Sequence, residues 1–595
     1  MSSEIANKLS DQTRNLVGKF ENRVAQFSGR EDLLGLMHKL DGDDADSFAR
    51  EYFGEGEHSA VGVDGSMDYD ERMQMMLFYS NATAYSCPFR VDSKISFDLK
   101  DAARSARLSV SSAVPLWAED VSDVTDETFD VELELELEHS VDRIPNAFMT
   151  VAEMYLALKS CDSARILFLD RPLSGTYATL ARDVRMLIRR HRSNLSKLVG
   201  RTDDQTLLDI SLSLNVGTPS TDLPRRGRFL QSRILRELMK EGLTREELAR
   251  RLEVEEPAIR KSIKALRRAD DRYGGLLFED ADGARIKLRE DVGGYWSRTS
   301  SLALSYCEGA YERATSPLNV GPDEWLTVLD INTIAFMLMQ RLRDLAAERK
   351  ILVIGIAKDT TATDISRSVL PFAVKNGILE TSKTPPRLKN DRAFLSILGA
   401  ENRGMRPPWR TLGYDSSFST IVCRSAMGEG EFMSARKFVS REGLFVRGFF
   451  QSRSMGKDAT VRSPVFLFDR IYDERYDSDA LRELEVTENY APVTVKPYCE
   501  GAKLSRKSNL VLKVLSLTDN PEVYEAFGHN QLLYLADKAV KVEIRLMKSS
   551  LRGVADLRIG GMSKREQVYG IATTYRQQRS EAEAARMRAA GSRRG

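Results

Sequence analysis

The sequence has no GxxxxGK[ST] loop, no CxxC pair and no apolar run long enough to span a membrane. The first absence leaves the chain without a recognisable ATP-binding loop of its own. The second, with five scattered cysteines (Cys87, Cys161, Cys307, Cys423, Cys499), argues against a disulfide framework or a zinc site and fits a reducing cytoplasm. The third, together with an N-terminal stretch that lacks the apolar core of a signal peptide, gives the expectation of a cytoplasmic protein with no membrane partner. Histidine occurs only five times, and no serine stands in a GxSxG setting, so a Ser-His-Asp triad has no recognisable frame. Lys+Arg 88 against Asp+Glu 87 leaves a net charge of +1, so any basic surface must be local. What remains is acidic chemistry.

At 595 residues, 42% hydrophobic and 29% charged, the chain has an ordinary globular composition and is long enough for two to four domains. Residues 1–30 read as one amphipathic helix with Ile5, Leu9, Leu16, Val17, Phe20, Val24 and Phe27 on a stripe. That stripe either packs on the protein's own core, the favoured reading, or docks a partner. "DGDDADSF" (41–48) fails the calcium-loop spacing and reads as a solvated loop. From 59 to 139 the pattern is strand-like: a strand closing at Asp64, then Met75–Cys87, Arg107–Val114, and "FDVELELELEHS". The last alternates leucine with glutamate and reads as a sheet with a solvated or partner-facing acidic side. "RIPNAFMTVAEMYLALKS" (143–160) is helical, "SARILFLDRPLSG" is a buried strand ending at Asp170, and a long basic helix runs through "DVRMLIRRHRSNLSKL". Later, "INTIAFMLMQRLRDLAAERK" is a helix leading straight into the strand "ILVIGIAKDT". This order predicts an α/β fold with a ribonuclease-H-like mixed sheet.

Residues 225–295 interrupt that order. Three short helices, the second opened by a capping box from Thr244 to Glu247, precede a hairpin turning at Asp282-Gly283. This is the pattern of a winged helix-turn-helix, with Leu230, Ile234, Leu248, Leu252, Ile259, Ile263 and Leu266 as its core. Its third helix carries Arg260, Lys261, Lys264, Arg267 and Arg268. Those cations either contact DNA phosphates or belong to a protein-docking module. The expected organisation is an N-terminal helical segment (1–58), a core in two parts (59–224 and 296–575) around the insertion, and a basic tail (576–595). Additional strands and a loop-rich stretch around 380–415 fill the C-terminal third.

Hydrolysis of a phosphodiester with two metal ions needs carboxylates converging from different elements to hold divalent cations about 3.5–4 Å apart. Hard oxygen donors suit manganese or magnesium. Asp64, Glu153 and Asp170 lie where such a site would be built. Singly each has a bland reading, since Asp before Gly is commonly a turn and Glu on an amphipathic helix is commonly solvated. Yet Glu153 sits among Met149, Val151, Ala152, Met154 and Leu156, which is apolar company for a solvated acid.

In order along the chain, "AVGVDGS", "TVAEMYLAL", "ILFLDRPLSG", "ILVIGIAKDT" and "GHNQLLYLADKAV" resemble the successive motifs of the NurA nucleases, over about residues 59 to 545. The resemblance implies a ribonuclease-H-like, manganese-dependent DNA nuclease using two Mn2+ (or Mg2+) ions. It implies a homodimer working with a HerA-like hexameric ATPase in DNA end processing, in repair or phage defence. It places metal-binding carboxylates at Asp64, Glu153 and Asp170, and a fourth at Asp537, where many members have histidine. It places Lys358 at a strand end, able to hold a phosphate. His529 falls where many members have tyrosine, and its role stays open. Arg171 replaces a frequent glycine; it either neutralises phosphate or pairs with a nearby acid. The rival readings are a non-catalytic DNA-binding or scaffold protein acting through its winged helix, and an Argonaute-like nuclease cutting a guided strand.

Overall fold

The computed structural model describes residues 2–72, 75–102, 107–117, 120–125, 141–279, 285–313, 315–321, 324–381, 383–386, 388–402, 404–440, 442–455, 461–519 and 527–560. Its frame is an eleven-stranded mixed sheet. In chain order the strands are β1 (Met37–Lys39), β2 (Gly56–Arg72), β3 (Met75–Val91), β4 (Ile95–Phe97), β5 (Arg107–Trp117) and β6 (Ala164–Leu169). They continue as β7 (Leu352–Ala357), β8 (Trp409–Thr411), β9 (Tyr414–Asp415), β10 (Phe445–Gln451) and β11 (Phe466–Ile471). The spatial order is β1-β8-β10-β11-β7-β6-β2-β3-β4, with β9 on β10 and β5 on β3. Only β2–β6 and β6–β7 are parallel. The central strands "ARILFL" and "LVIGIA" are covered on both faces, which is why they read as near-continuous apolar runs.

Helices cover both sides. On one lie α3 (Arg143–Ser160), α4 (Leu173–Arg190) and α8 (Val328–Arg349), packed with Val61, Val63, Leu167, Leu169 and Val353. On the other lie α2 (Gly42–Phe53), α9 (Arg506–Leu517) and α10 (Gln531–Gly560), packed with Ala60, Ile166, Phe168, Leu352, Ile354 and Ile356. Odd-numbered positions of β2, β6 and β7 therefore face α3, and even-numbered positions face α10. Helix α8 opens with a capping box in which Thr327 and Asp330 satisfy each other's backbone N–H.

Between α4 and α8 in the chain come α5 (Leu230–Leu238), α6 (Arg245–Leu252) and α7 (Glu256–Asp270). The Thr244–Glu247 capping box is formed, and all seven apolar positions expected in this unit's core are buried. Two antiparallel bridges follow, Leu243 with Ile286 and Phe278 with Leu288, while the turn at Asp282-Gly283 lies outside the described residues. The unit's apolar side chains join the same cluster as α3 and α8.

Several expectations need correction. Asp64 does not end its strand: β2 continues to Arg72 because β3 pairs with it along its whole length. Asp64 is instead the first residue past the register with β6, which stops at Val63–Leu169. The segment 41–48 is helical, since Asp41 caps α2 by accepting from the Asp44 N–H. Among the described side chains of the α1 (Ser2–Ala25) stripe, Leu9, Leu16, Val17 and Phe20 are 49–66% exposed and Phe27, beyond the helix end, enters the core. The basic helix after Asp170 stops at Arg190, where His191 takes a left-handed conformation, φ 51°. The stretch 380–415 contains a helix, Asp391–Glu401, capped by Asn390. The leucine–glutamate stretch and the basic tail lie outside the described residues.

Candidate active site

Two close approaches set the geometry around Asp64. A Cβ on Gly62 would lie 2.6 Å from Leu532 Cβ, so the absence of a side chain there lets α10 settle on β2. A Cβ on Gly65 would collide with the Glu153 carboxylate and lie 2.8 Å from Met149 Cγ, so this glycine admits α3 from the opposite face. A third glycine, Gly355 on β7, makes room for the chain leaving β6: its Cβ would lie 2.7 Å from Leu173 Cγ. The glycines in "AVGVDGS" and "ILVIGIA" thus bring four elements to one place.

Asp64 is buried, and its Oδ1 accepts from the Gly65 N–H (2.8 Å). Asp170, just past β6, continues the ladder by donating its N–H to Val63 O (3.3 Å). Its Oδ2 accepts from Lys358 Nζ (2.6 Å), just past β7. Glu153, from α3, is almost fully buried and forms an ion pair with Arg171. Asp537, on α10, pairs with Lys541 one turn on (2.6 Å). Three of the four carboxylates therefore have a resident cation, and among the described residues Asp64 has none.

Burial pushes the Asp64 carboxyl up to about 8; the Asp170 and Glu153 carboxylates add to the rise, Lys358 opposes it, and Asp537 adds again. The other three expected acids and the expected lysine thus all act on Asp64. Burial likewise raises Glu153, with Arg171 opposing. Among the described residues no three His, Cys, Asp or Glu side chains form a ready-made metal cage. The acid oxygens are drawn instead to Lys358, Arg171 and Lys541. The donor set still fits a divalent cation: it is all oxygen, buried, and one acid has only a proton to offset its charge.

Arg171 is turned into the protein, where Nη1 donates to Thr150 Oγ1 (3.2 Å) on α3. On α7, Arg260, Lys261, Lys264 and Arg268 are exposed and Arg267 is half-buried; Arg260 also pairs with Glu256 (2.8 Å).

Two features lay beyond the sequence reading: a buried polar network, and the surroundings of His529, whose role it left open. The network lies beneath the 170–174 segment. Asp469 accepts from Ser174 N (2.9 Å), Ser174 Oγ (2.7 Å) and Arg447 Nε (3.0 Å), and Arg447 Nη1 donates to Asp364 (2.5 Å). It ties the start of α4 to β10 and β11. Its signal was the consecutive charges Asp469-Arg470 inside the apolar strand "FLFDRI". The second is His529, buried against Phe466, with neither ring nitrogen hydrogen-bonded among the described residues. Burial, then the nearby Lys358 charge, lowers it to about 3, so it is neutral at ordinary pH.

The molecule is thus a mixed α/β protein whose central sheet carries a buried acidic centre. No family model matches the sequence, and no curated protein is similar to it. Among solved structures it is similar to a crystal structure of NurA, with 11% identity, a TM-score of 0.39, and coverage of 94% of this chain and 99% of that one. The NurA nuclease from Sulfolobus solfataricus shares 10% identity at a TM-score of 0.33, with 92% and 97% covered. A NurA structure with manganese shares 11% at 0.32, over the same shares. With identities this low and TM-scores below 0.5, the chemistry of the centre rests on its own residues.

Proposed function

We propose that the protein is a metal-dependent deoxyribonuclease of NurA type, built on a ribonuclease-H-like core. The reading is supported by one observation: the charges of Asp170, Glu153 and Asp537, from three other elements, all act on the buried Asp64, which has no cation beside it among the described residues. A pair of divalent ions, manganese or magnesium, would be held by these four carboxylates and would supply an activated water and charge stabilisation at the scissile phosphate. The chain's own contribution is positional. The three glycine contacts fix where the acids stand, and burial keeps bulk water from competing. Lys358, at the rim beside Asp170, is placed to hold a phosphate oxygen once a cation relieves it of Asp170.

The α5–α7 unit and its two bridges read as a winged helix-turn-helix, and the exposed cations of α7 suit sequence-independent phosphate contact. With no ATP-binding loop, the nuclease would depend on a HerA-like hexameric ATPase to deliver DNA ends, and would work as a homodimer in the cytoplasm in repair or phage defence.

The test is cleavage of linear and single-stranded DNA with Mn2+. Activity should appear with the ion, vanish with EDTA, and be lost in D64N and D170N while circular dichroism stays unchanged. Cleavage that persists in both variants overturns the assignment. The second reading, a non-catalytic DNA-binding protein, draws on the same exposed α7 cations. It predicts DNA binding that α7 charge removal abolishes and D64N leaves alone, with no cleavage under any metal.

A further inference from the structure

The acids reach the centre from both faces of the sheet. Asp64 shares the α10 side with Gly62, which touches Leu532, and Asp537 comes from α10 itself. Asp170 and Lys358 continue the even-numbered positions of β6 and β7, whose side chains pack on that same side. Glu153 approaches from the other side, on α3, against the bare Cα of Gly65. Arg171 lies with it: the guanidinium pairs with Glu153 through Nε and reaches Thr150, also on α3, through Nη1.

This pair is tightly enclosed. The side chains of Glu153 and Arg171 are 3% and 12% exposed, whereas Lys358, the counter-ion across the sheet, is 35% exposed. Glu153 Oε2 faces Arg171 Nε as its charge partner, and neither atom has another hydrogen-bond partner among the described residues. Lys358 can swing toward solvent at little cost, but Arg171 can release Glu153 only by moving a planar guanidinium within the interior.

Resting on the metal-dependent reading above, we infer that Arg171 is the resident counter-ion of Glu153 and sets the order in which the centre takes up cations. Asp64, Asp170 and Asp537 would hold the first ion, and Glu153 would become available to a second only once Arg171 has withdrawn, so two ions would be held with unequal affinity. Arg171 is a positioning residue in this scheme: it acts on metal occupancy through Glu153.

The experiment is a Mn2+ titration of the metal-stripped full chain, followed by calorimetry and by electron paramagnetic resonance of free Mn2+, with no DNA present. The wild type should show a tight and a weak class. R171Q should tighten the weak class by about tenfold or more, the scale on which outer-shell partners alter metal affinity, and leave the tight class alone. E153Q should delete the weak class only, and D64N should impair the tight one. Should R171Q fail to fold, R171K decides, because it keeps the charge without the planar fork and should narrow the gap. Equal affinities in the wild type, or a weak class that ignores residue 171 in the folded variants, overturns the inference alone. A chain that binds no Mn2+ at all overturns it together with the nuclease reading.

Discussion

Replacing Gly62 with alanine tests the frame of the site without reference to any reaction. The added Cβ would lie 2.6 Å from Leu532 Cβ, 3.0 Å from Leu532 C and 3.1 Å from Leu533 N. Carbon atoms rest about 3.5–4.0 Å apart, so the shortfall is about 1 Å and falls on main-chain atoms and a Cβ, none of which can rotate away. Helix α10 must shift off β2, loosening Leu532, Leu533 and Ala536, all buried. Overpacking of this kind costs about 1–3 kcal/mol. The assay is urea unfolding followed by far-UV circular dichroism. The expected result is a lower midpoint with an unchanged slope, together with weaker Mn2+ binding as Asp537 moves with its helix. A G62A protein within about 0.5 kcal/mol of wild type, the range of ordinary surface substitutions, would refute the close approach.

Removing Arg470, fully buried in a bidentate pair with Asp477 (2.7 Å for both contacts), should cost about 3–5 kcal/mol in R470A, read by the same unfolding assay. The double variant R470L/D477L should lose less, since no charge is stranded. For pH, burial raises Asp415 to about 6, Asp391 to about 7 and Asp64 to about 8, each above its unfolded value of 3.8. The folded state then holds protons that the unfolded chain has released, so metal-free stability should fall as pH rises from about 5 to 8. On the proposed reading, Mn2+ would take the place of the Asp64 proton. The rise in melting temperature on adding Mn2+ should therefore grow across this window in the wild type and stay flat in D64N.

The central elements were legible because their signals are local. Strands β6 and β7 announce themselves as short apolar runs, and α3 and α8 as long periodic ones. The capping box at Thr244 could be read from four residues. The length of β2 was not legible. Asp64-Gly65 carries the composition of a turn, and only a 17-residue partner strand keeps it extended. Asp41 was misjudged for a related reason: an acid-rich stretch suits a solvated loop and a helix's first turn equally, and tertiary packing of Phe48, Tyr52 and Phe53 decides. The amphipathic stripe of α1 was visible, but a pattern of spacing does not say what covers it. Which cation faces which acid was beyond reach, because Lys358 and Asp170 are 188 positions apart.

That pairing explains how such a centre can form in a chain that folds before it meets a metal. An isolated carboxylate cannot stay ionised in an apolar interior, and a cluster of four is worse. The fold meets this with three cations: Lys358 from the end of β7, Arg171 from the segment after β6, and the half-exposed Lys541 one turn along α10 from Asp537. Asp64, the one acid left without a cation, keeps a proton instead. The arrangement is neutral enough to fold, and on the proposed reading a divalent ion would gain most by displacing the Asp64 proton and Lys358. The same reasoning makes Glu153 the last acid to be released, since its guanidinium partner is the most deeply enclosed of the three.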